Sequence, residues 1–271
     1  MRSPKELSLD SKILKAVSGL CLTPKAGEAA QLVLEDGEVR ALQEYANTVS
    51  IKRLGYNDHG PVHMRTVALN AAIMMGLLRK AGIKTSLETE ECGVFEDSLI
   101  AVILAASLHD LGMGISRQGH EIHSMSLARP ILDRLLPIIY PENITQQVIV
   151  RSLTLEAIFG HMGNRIIHSL EAGLLLIADG CDMTKGRARI PMVLAASPRV
   201  GDIHKYSANA IEEVKIMPGR EKPIHVSIIM SGEVGLFQVE EVLLGKIAAS
   251  PVKGYIELYA VIQDREPKRY L

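Results

Sequence analysis

The chain has 271 residues, 47% of them hydrophobic, and its formal net charge at pH 7 is −1. It is long enough to bury a large core as one domain, or as one domain plus a smaller module. The near-neutral charge excludes the strongly basic field that drives non-specific binding to nucleic acids or membrane surfaces.

Cysteine usage and hydropathy indicate the cellular compartment. Cys21, Cys92 and Cys181 lie far apart and form no C-x-x-C pair, which argues against a disulfide framework or a cysteine-based zinc site. The first residues lack the apolar stretch of a signal peptide, and no uninterrupted apolar run approaches the ~20 residues that cross a bilayer. We therefore expect a cytoplasmic protein with no membrane partner, and nucleic acid is not an expected partner.

From about residue 37 to about residue 194, apolar residues recur at helical spacing. The stretch DGEVRALQEYANTVSIKRL predicts a first helix, and a second begins at Pro61, a residue suited to the first helical position, and closes at Gly82. The next, EDSLIAVILAASLHDLG, is apolar on nearly every side, as is typical of a central bundle helix. Three more helices are predicted over residues 120–136, 143–159 and 164–183.

The pattern changes from Ile211 onward, where β-branched runs predict strand, strand, helix and strand in IEEVKI, PIHVSIIM, VEEVLLGKIAAS and GYIELYAVI. We therefore expect a mainly α protein: a helical bundle followed by a small α+β domain. The expected divisions are an N-terminal arm over 1–40, a helical domain over 41–200 and the α+β domain over 201–271. The α+β domain could close over a cavity or bind a regulator. Because so small a sheet leaves exposed edges, its edge strands could also pair across a homo-oligomer.

Histidines and aspartates collect near the ends of the predicted helices. Those with ligand character are His59, His63, His109, Asp110, His120, His123, His161 and Asp179. Imidazole nitrogen and carboxylate oxygen bind Zn²⁺, Fe²⁺, Mn²⁺ and similar ions, and an aspartate beside a histidine can bridge two of them. The residues alone leave open a second interpretation, in which His109 and Asp110 form a hydrogen-bonded dyad in the core.

Taken in order, His63, the pair His109–Asp110 and the late Asp179 resemble the HD-domain superfamily of metal-dependent phosphohydrolases, over roughly residues 41–185. The resemblance implies that these four residues hold one metal. His120 in HEIHSMSLA and His161 in FGHMG match histidines that hold a second ion in dinuclear members. His123 lies three residues after His120, so either could face the site. The implied cofactor is one or two divalent transition-metal ions: Mn, Fe, Zn, Co or Ni.

The segment DHGPVHMRTV is similar to the cyclic-nucleotide phosphodiesterase branch of the superfamily, in which a histidine four positions before the metal ligand donates a proton to the leaving oxygen. The resemblance makes His59 and Asp110 the catalytic residues: His59 as general acid and Asp110 as the group that orients the nucleophile. An equally open interpretation of His59 is a loop histidine that faces solvent. Asp182, three residues after Asp179, is a candidate for orienting a ligand.

One departure from the family concerns phosphate binding. Many members carry a phosphate-binding lysine in HDxGK, whereas this chain has HDLGMG, and Met113 cannot donate a hydrogen bond to an oxyanion. The candidate substrate-binding replacements are Lys185, Arg187 and Arg189 in MTKGRARIP, with Arg117 as a weaker one. Cations in this place are equally consistent with favourable pairing to the helix dipole.

These features predict a metal-dependent phosphohydrolase that cleaves a phosphate ester, a nucleotide or related small phosphate, by attack of a metal-bound hydroxide. Neither a monoester nor a diester is favoured. Met113 motivates an alternative, a non-catalytic sensor or assembly module that binds metal and nucleotide and signals through the α+β domain. A metal-dependent lyase or oxygenase is a third hypothesis, because the same ligands suit redox-active iron.

Overall fold

A computed structural model of the chain describes residues 2–187, 203–263 and 265–271. It consists of a helical bundle followed by a small mixed sheet, so the expected fold class is confirmed. The bundle helices are α1 (Pro4–Ser18), α2 (Lys25–Glu35), α3 (Gly37–Thr48), α4 (Pro61–Lys80), α5 (Ser86–Thr89), α6 (Phe95–Leu108), α7 (His120–Ile139), α8 (Ile144–Gly160) and α9 (Leu170–Gly180). The later elements are α10 (Ile203–Asn209), β1 (Ile211–Pro218), β2 (Ile224–Met230), α11 (Leu244–Ala249), β3 (Ile256–Ile262) and β4 (Lys268–Arg269).

The segment 1–40, expected as an N-terminal arm, contains helices that pack against α4 and α6. Helices α1 and α2 occupy most of residues 1–40, and Ile13 and Val17 of α1 are fully buried. The buried guanidinium of Arg65 on α4 donates to Asp10 of α1 at 2.6 Å, which anchors the first helix. Helix α2 buries mainly alanines, whose weak apolar signal explains why the sequence pattern missed this segment.

Helix α6 forms the centre of the bundle, as its apolar sequence predicts. Every residue of α6 except Glu96 is buried, and α2, α4, α8 and α9 pack around it. Within the described part of the chain, one stretch, Phe95–Gly114, is long and apolar enough to cross a membrane by length and composition alone. Because 94% of that window is buried inside the fold, it has the character of a core helix.

The predicted helix boundaries hold for α4, which begins at Pro61, but not for α9. We expected α9 to begin near residue 164, whereas it begins at Leu170. Gly163 adopts a left-handed φ of 75°, which any other residue would reach only with strain, and it turns the chain after α8. Ser169 then caps α9 by accepting a hydrogen bond from the Ala172 amide.

The C-terminal strands follow the predicted order, and a short β4 is added at the end. The sheet order is β1-β2-β3-β4; β1 and β4 pair antiparallel with their neighbours, whereas β2 and β3 are parallel. Parallel strands need a crossover, and here residues 233–255 supply one that is largely helical and contains α11. This crossover contacts α9 of the bundle, whereas β1 and β2 contact α4.

Two glycines on α9 allow the crossover to pack closely against the bundle. A Cβ at Gly173 would lie 2.6 Å from Ser250 Oγ, and one at Gly180 would lie 3.0 Å from both Leu243 Cδ1 and Lys246 Cδ. Ser250 Oγ also donates to the Gly173 carbonyl at 2.9 Å. The crossover therefore contacts α9 beside the helix end where Asp179 lies.

Candidate metal centre

Six buried side chains from five helices meet at one end of the bundle. They are His63 in the first turn of α4, His109 and Asp110 at the end of α6, His120 at the start of α7, His161 at the end of α8 and Asp179 in the last turn of α9. The six predicted ligands thus lie together, although up to 116 positions separate them in the sequence. His123 lies outside this cluster, which favours His120 of the two candidates.

The first group of ligand atoms surrounds His63 Nε2. This nitrogen lies 3.2 Å from His109 Nε2, 3.2 Å from Asp110 Oδ2 and 3.2 Å from Asp179 Oδ1. His109 Nε2 in turn lies 3.4 Å from Asp110 Oδ2 and 3.8 Å from Asp179 Oδ1. Two imidazole nitrogens and two carboxylate oxygens therefore face a common centre, which we call site one.

The second group uses the other oxygen of Asp110. Asp110 Oδ1 lies 3.2 Å from His120 Nε2 and 3.5 Å from His161 Nε2, and these two nitrogens are 3.0 Å apart. We call this group site two. Because Oδ2 faces site one and Oδ1 faces site two, the Asp110 carboxylate lies between them in the position of a bridging ligand.

The four histidines are oriented alike by groups outside the cluster. His109, His120 and His161 direct Nδ1 at backbone carbonyls 2.6–2.9 Å away, and His63 Nδ1 lies 2.7 Å from Asp182 Oδ2. An Nδ1–H donor leaves Nε2 as a lone-pair acceptor in the neutral ring. When both rings are neutral, the Nε2 atoms of His120 and His161, 3.0 Å apart, face each other without a proton to share, an arrangement that a cation between them stabilises.

The spacing of the ligand atoms fits a transition-metal ion. Four ligands arranged tetrahedrally at about 2.1 Å from an ion lie about 3.4 Å apart, and octahedral neighbours lie about 3.0 Å apart. The distances that involve a histidine nitrogen in the two sites run from 3.0 to 3.8 Å. The buried histidines and aspartates of the described chain can therefore hold a metal ion at either site.

The same contacts shift the acidity of the cluster in the metal-free protein. Burial disfavours the charged form of His63, yet hydrogen bonds to Asp110, Asp179 and Asp182 raise its pKa well above the usual range. Burial alone dominates at His161 and lowers its pKa to about 4. Site one therefore carries a proton on His63 at neutral pH, which a metal ion must displace, whereas His161 is already neutral.

A cavity of about 750 Å³ reaches both sites. Asp110, His120, His161 and Asp179 line its floor, and Arg117 and Arg187 line its sides. Arg187 is held in place, because its Nε donates to the Asp58 carbonyl at 2.9 Å and its Nη1 to the Asp182 carbonyl at 2.7 Å. The cavity thus combines a candidate metal centre with fixed cations.

The remaining predicted phosphate-binding residues have different positions. Lys185 is absent from the described residues that line the cavity; its ammonium pairs with Glu212 and its side chain is 53% exposed. Arg189 lies outside the described residues. Met113 is fully buried in the core, consistent with its inability to bind substrate.

His59 lines the cavity and does not extend into bulk solvent. Its ring centroid lies 5.8 Å from that of His63, and its Nδ1 lies 2.6 Å from the Asn57 carbonyl and 2.9 Å from Ser50 Oγ. With Nδ1 occupied, Nε2 is the nitrogen left for a molecule in the cavity. Burial lowers the pKa of His59, although Asp110 acts against this, so the ring is neutral at pH 7 in the free protein.

Sequence reasoning missed Lys246, which α11 carries into the site. Its ammonium contacts Asp179 Oδ2 and donates to the His161 carbonyl at 2.9 Å. Gln238, Glu241 and His204 from the same C-terminal region also line the cavity. The only sequence signal was a lysine within an ordinary amphipathic stretch, VEEVLLGKIAAS, 67 residues away from Asp179.

Comparison with known proteins yields one informative match. The chain is similar to the uncharacterized protein MJ1020 of Methanocaldococcus jannaschii, with 40% identity over 235 residues, which is 87% of this chain and 88% of that protein. No family model matches the sequence, and no solved structure matches it.

Proposed function

The chain belongs to the family of MJ1020, and we propose that it is a metal-dependent phosphohydrolase of the HD-domain type. The observation that carries the proposal is the Asp110 carboxylate, which directs one oxygen to each of two groups of imidazole nitrogens. A shared carboxylate between two ligand groups is a common feature of dinuclear hydrolytic sites. The order of the ligands along the chain, which resembles the HD-domain superfamily, supports the same proposal.

The chain's own residues divide between the two sites. His63, His109, Asp110 and Asp179 would hold one ion, and Asp110, His120 and His161 the other. Divalent transition metals such as Mn²⁺, Fe²⁺, Zn²⁺, Co²⁺ or Ni²⁺ suit these ligands and, when bound, supply Lewis-acid chemistry that activates water and neutralises phosphoryl oxygens. Asp110 orients the attacking group, since its two oxygens face both ligand groups.

The cations of the cavity bind the anionic substrate. Arg117 and Arg187 lie on its wall, and the contacts of Arg187 with backbone carbonyls fix the direction of its guanidinium. A guanidinium held in this way binds phosphate oxygens with little loss of side-chain freedom. The volume of about 750 Å³ is in the range of sites for small organic ligands, so we propose a small phosphate ester of nucleotide size.

His59 protonates the leaving oxygen in this proposal. The lowered pKa leaves it neutral in the free protein, whereas the negative charge of a bound phosphate raises the pKa of a nearby imidazole. A bound phosphate would therefore favour the protonated form of His59. The bond from Nδ1 to the Asn57 carbonyl fixes the ring so that Nε2 acts as the donor.

The direct test is phosphate release from a panel of phosphate monoesters and diesters, with full-length protein loaded separately with each candidate metal. We expect turnover that chelation abolishes and that Asp110→Ala lacks. Asp133→Ala, which changes an exposed carboxylate on α7, is the matched control and should retain full activity. Metal-loaded protein that binds nucleotides but hydrolyses none of the esters would contradict the proposal and favour the non-catalytic sensor.

A further inference from the structure

Lys246 places a positive charge beside both halves of the candidate metal centre. Its side chain is only 12% exposed, and its ammonium contacts Asp179 Oδ2, the outer oxygen of a site-one ligand. The same ammonium donates at 2.9 Å to the backbone carbonyl of His161, whose ring belongs to site two. The nitrogen therefore contacts a side chain of site one and the backbone of a residue of site two.

The fold holds this lysine in place along the length of its side chain. A Cβ at Gly180 would lie 3.0 Å from Lys246 Cδ, and one at Gly163 would lie 3.9 Å from Lys246 Cγ. The absence of a side chain at Gly180 leaves a channel for the lysine stem, whereas a Cβ at Gly163 would make only an ordinary van der Waals contact with it. An ordinary surface ion pair has no such channel and contributes little.

We propose that Lys246 binds the phosphoryl group of the substrate, so that the C-terminal α+β unit completes the substrate site of the bundle. This inference rests on the proposed phosphohydrolase function. A lysine ammonium has three donor hydrogens, and the contacts with Asp179 and the His161 carbonyl account for two of them. Among the described residues these are the contacts of the ammonium, and the third hydrogen can be donated to an oxygen in the cavity, which Lys246 lines.

In this proposal the Lys246 ammonium binds phosphate in place of the lysine that many HD-domain proteins carry after the His–Asp pair. Met113 occupies that position and is fully buried, so it presents nothing to the cavity. Lys246 approaches from the crossover between β2 and β3, and with Arg117 and Arg187 it gives the cavity wall three cations among the described residues. A phosphoryl group bound beside Asp179 would lie next to the ammonium, and the two arginines line the same cavity.

The test is calorimetric titration of inorganic phosphate into metal-loaded, full-length protein. Lys246→Gln keeps a donor of similar length and removes the charge, Lys246→Arg keeps the charge, and Lys253→Gln removes an exposed charge from the same crossover as the matched control. Metal content is measured first for every protein. We expect Lys246→Gln to retain its metal and to bind phosphate about tenfold or more weakly, with Lys253→Gln unchanged and Lys246→Arg in between.

Three results would overturn the inference: unchanged phosphate affinity in Lys246→Gln, loss of metal from that variant, or no phosphate binding by the metal-loaded wild type. Loss of metal would mean that Lys246 only positions Asp179. If Lys246→Gln does not fold, Lys246→Met and Lys246→Arg provide the same comparison. Because phosphate binding is measured without turnover, this test can fail while ester hydrolysis succeeds, and the reverse.

Discussion

Substitution of Asp182 should weaken metal binding at site one and leave metal binding at site two unchanged. Its Oδ2 lies 2.7 Å from His63 Nδ1, on the side of the ring opposite the ligand nitrogen. A carboxylate in this position fixes the ring and makes Nε2 a stronger ligand. Site two is supported differently: His120 and His161 direct Nδ1 at the carbonyls of Arg117 and Ile158, and the Glu121 carboxylate lies 3.7 Å from His120 Nδ1, beyond hydrogen-bond distance.

The expected size of the effect follows from that single contact. Asp182→Asn keeps an oxygen that accepts the Nδ1–H bond but loses the charge, whereas Asp182→Ala loses both. Removing an outer-sphere partner of a metal-bound histidine costs about 10- to 100-fold in metal affinity. We therefore expect site one to bind metal about 10-fold more weakly in Asp182→Asn and about 100-fold more weakly in Asp182→Ala.

The assay is calorimetric titration of Mn²⁺ into metal-free protein, analysed for two classes of site. Asp133→Asn, an exposed carboxylate that pairs with Arg151, serves as the control and should match the wild type. One class of site should weaken in the Asp182 variants while the other keeps its affinity. Equal weakening of both classes, or no change in either, would refute the assignment of His63 to a separate site supported by Asp182.

Further predictions concern individual residues and pH. His59→Ala should keep its metal and lose about 10²- to 10⁴-fold in kcat; full activity in steady-state assays would rule out the proton-donor role. His161→Ala should lose about one metal equivalent by elemental analysis and keep the other at site one, whereas loss of both would mean that the sites are not separable. The pKa of His63 is raised, and its proton must leave before a metal ion binds. Metal affinity should therefore rise with pH up to that pKa. Calorimetric titrations in buffers of different ionisation enthalpy should detect proton release near pH 7, and the absence of proton release would contradict the raised pKa.

The fold class and the ligand cluster were accessible from the sequence for a physical reason. Apolar periodicity predicts where helices lie and where they end, and His63, His109 and His161 all fall close to predicted ends. Helix ends in a bundle gather at its two faces, so ligands near ends on the same face can meet. The backbone carbonyls that orient the histidine rings through Nδ1 could not be predicted, because backbone groups carry no sequence signal.

The positions of the cavity's cations could not be predicted, because they depend on packing between segments that are distant in the sequence. Lys246 reaches Asp179 only because the crossover lies against Gly180, a contact that no periodicity encodes. Lys185 and Arg187 are two residues apart and were equivalent as sequence candidates. The chain directs Arg187 into the cavity and Lys185 toward Glu212, a difference set by the local turn after α9.

Metal content per chain tests most directly whether Asp110 and its neighbouring histidines would hold two metal ions. Elemental analysis of protein purified without a metal-affinity tag should find close to two equivalents of transition metal in the wild type and almost none in Asp110→Ala. A wild-type protein that neither contains metal nor takes it up from added Mn²⁺, Fe²⁺, Zn²⁺, Co²⁺ or Ni²⁺ would contradict the account. The six buried side chains would then form a hydrogen-bonded polar core, with His63 protonated between its three carboxylates.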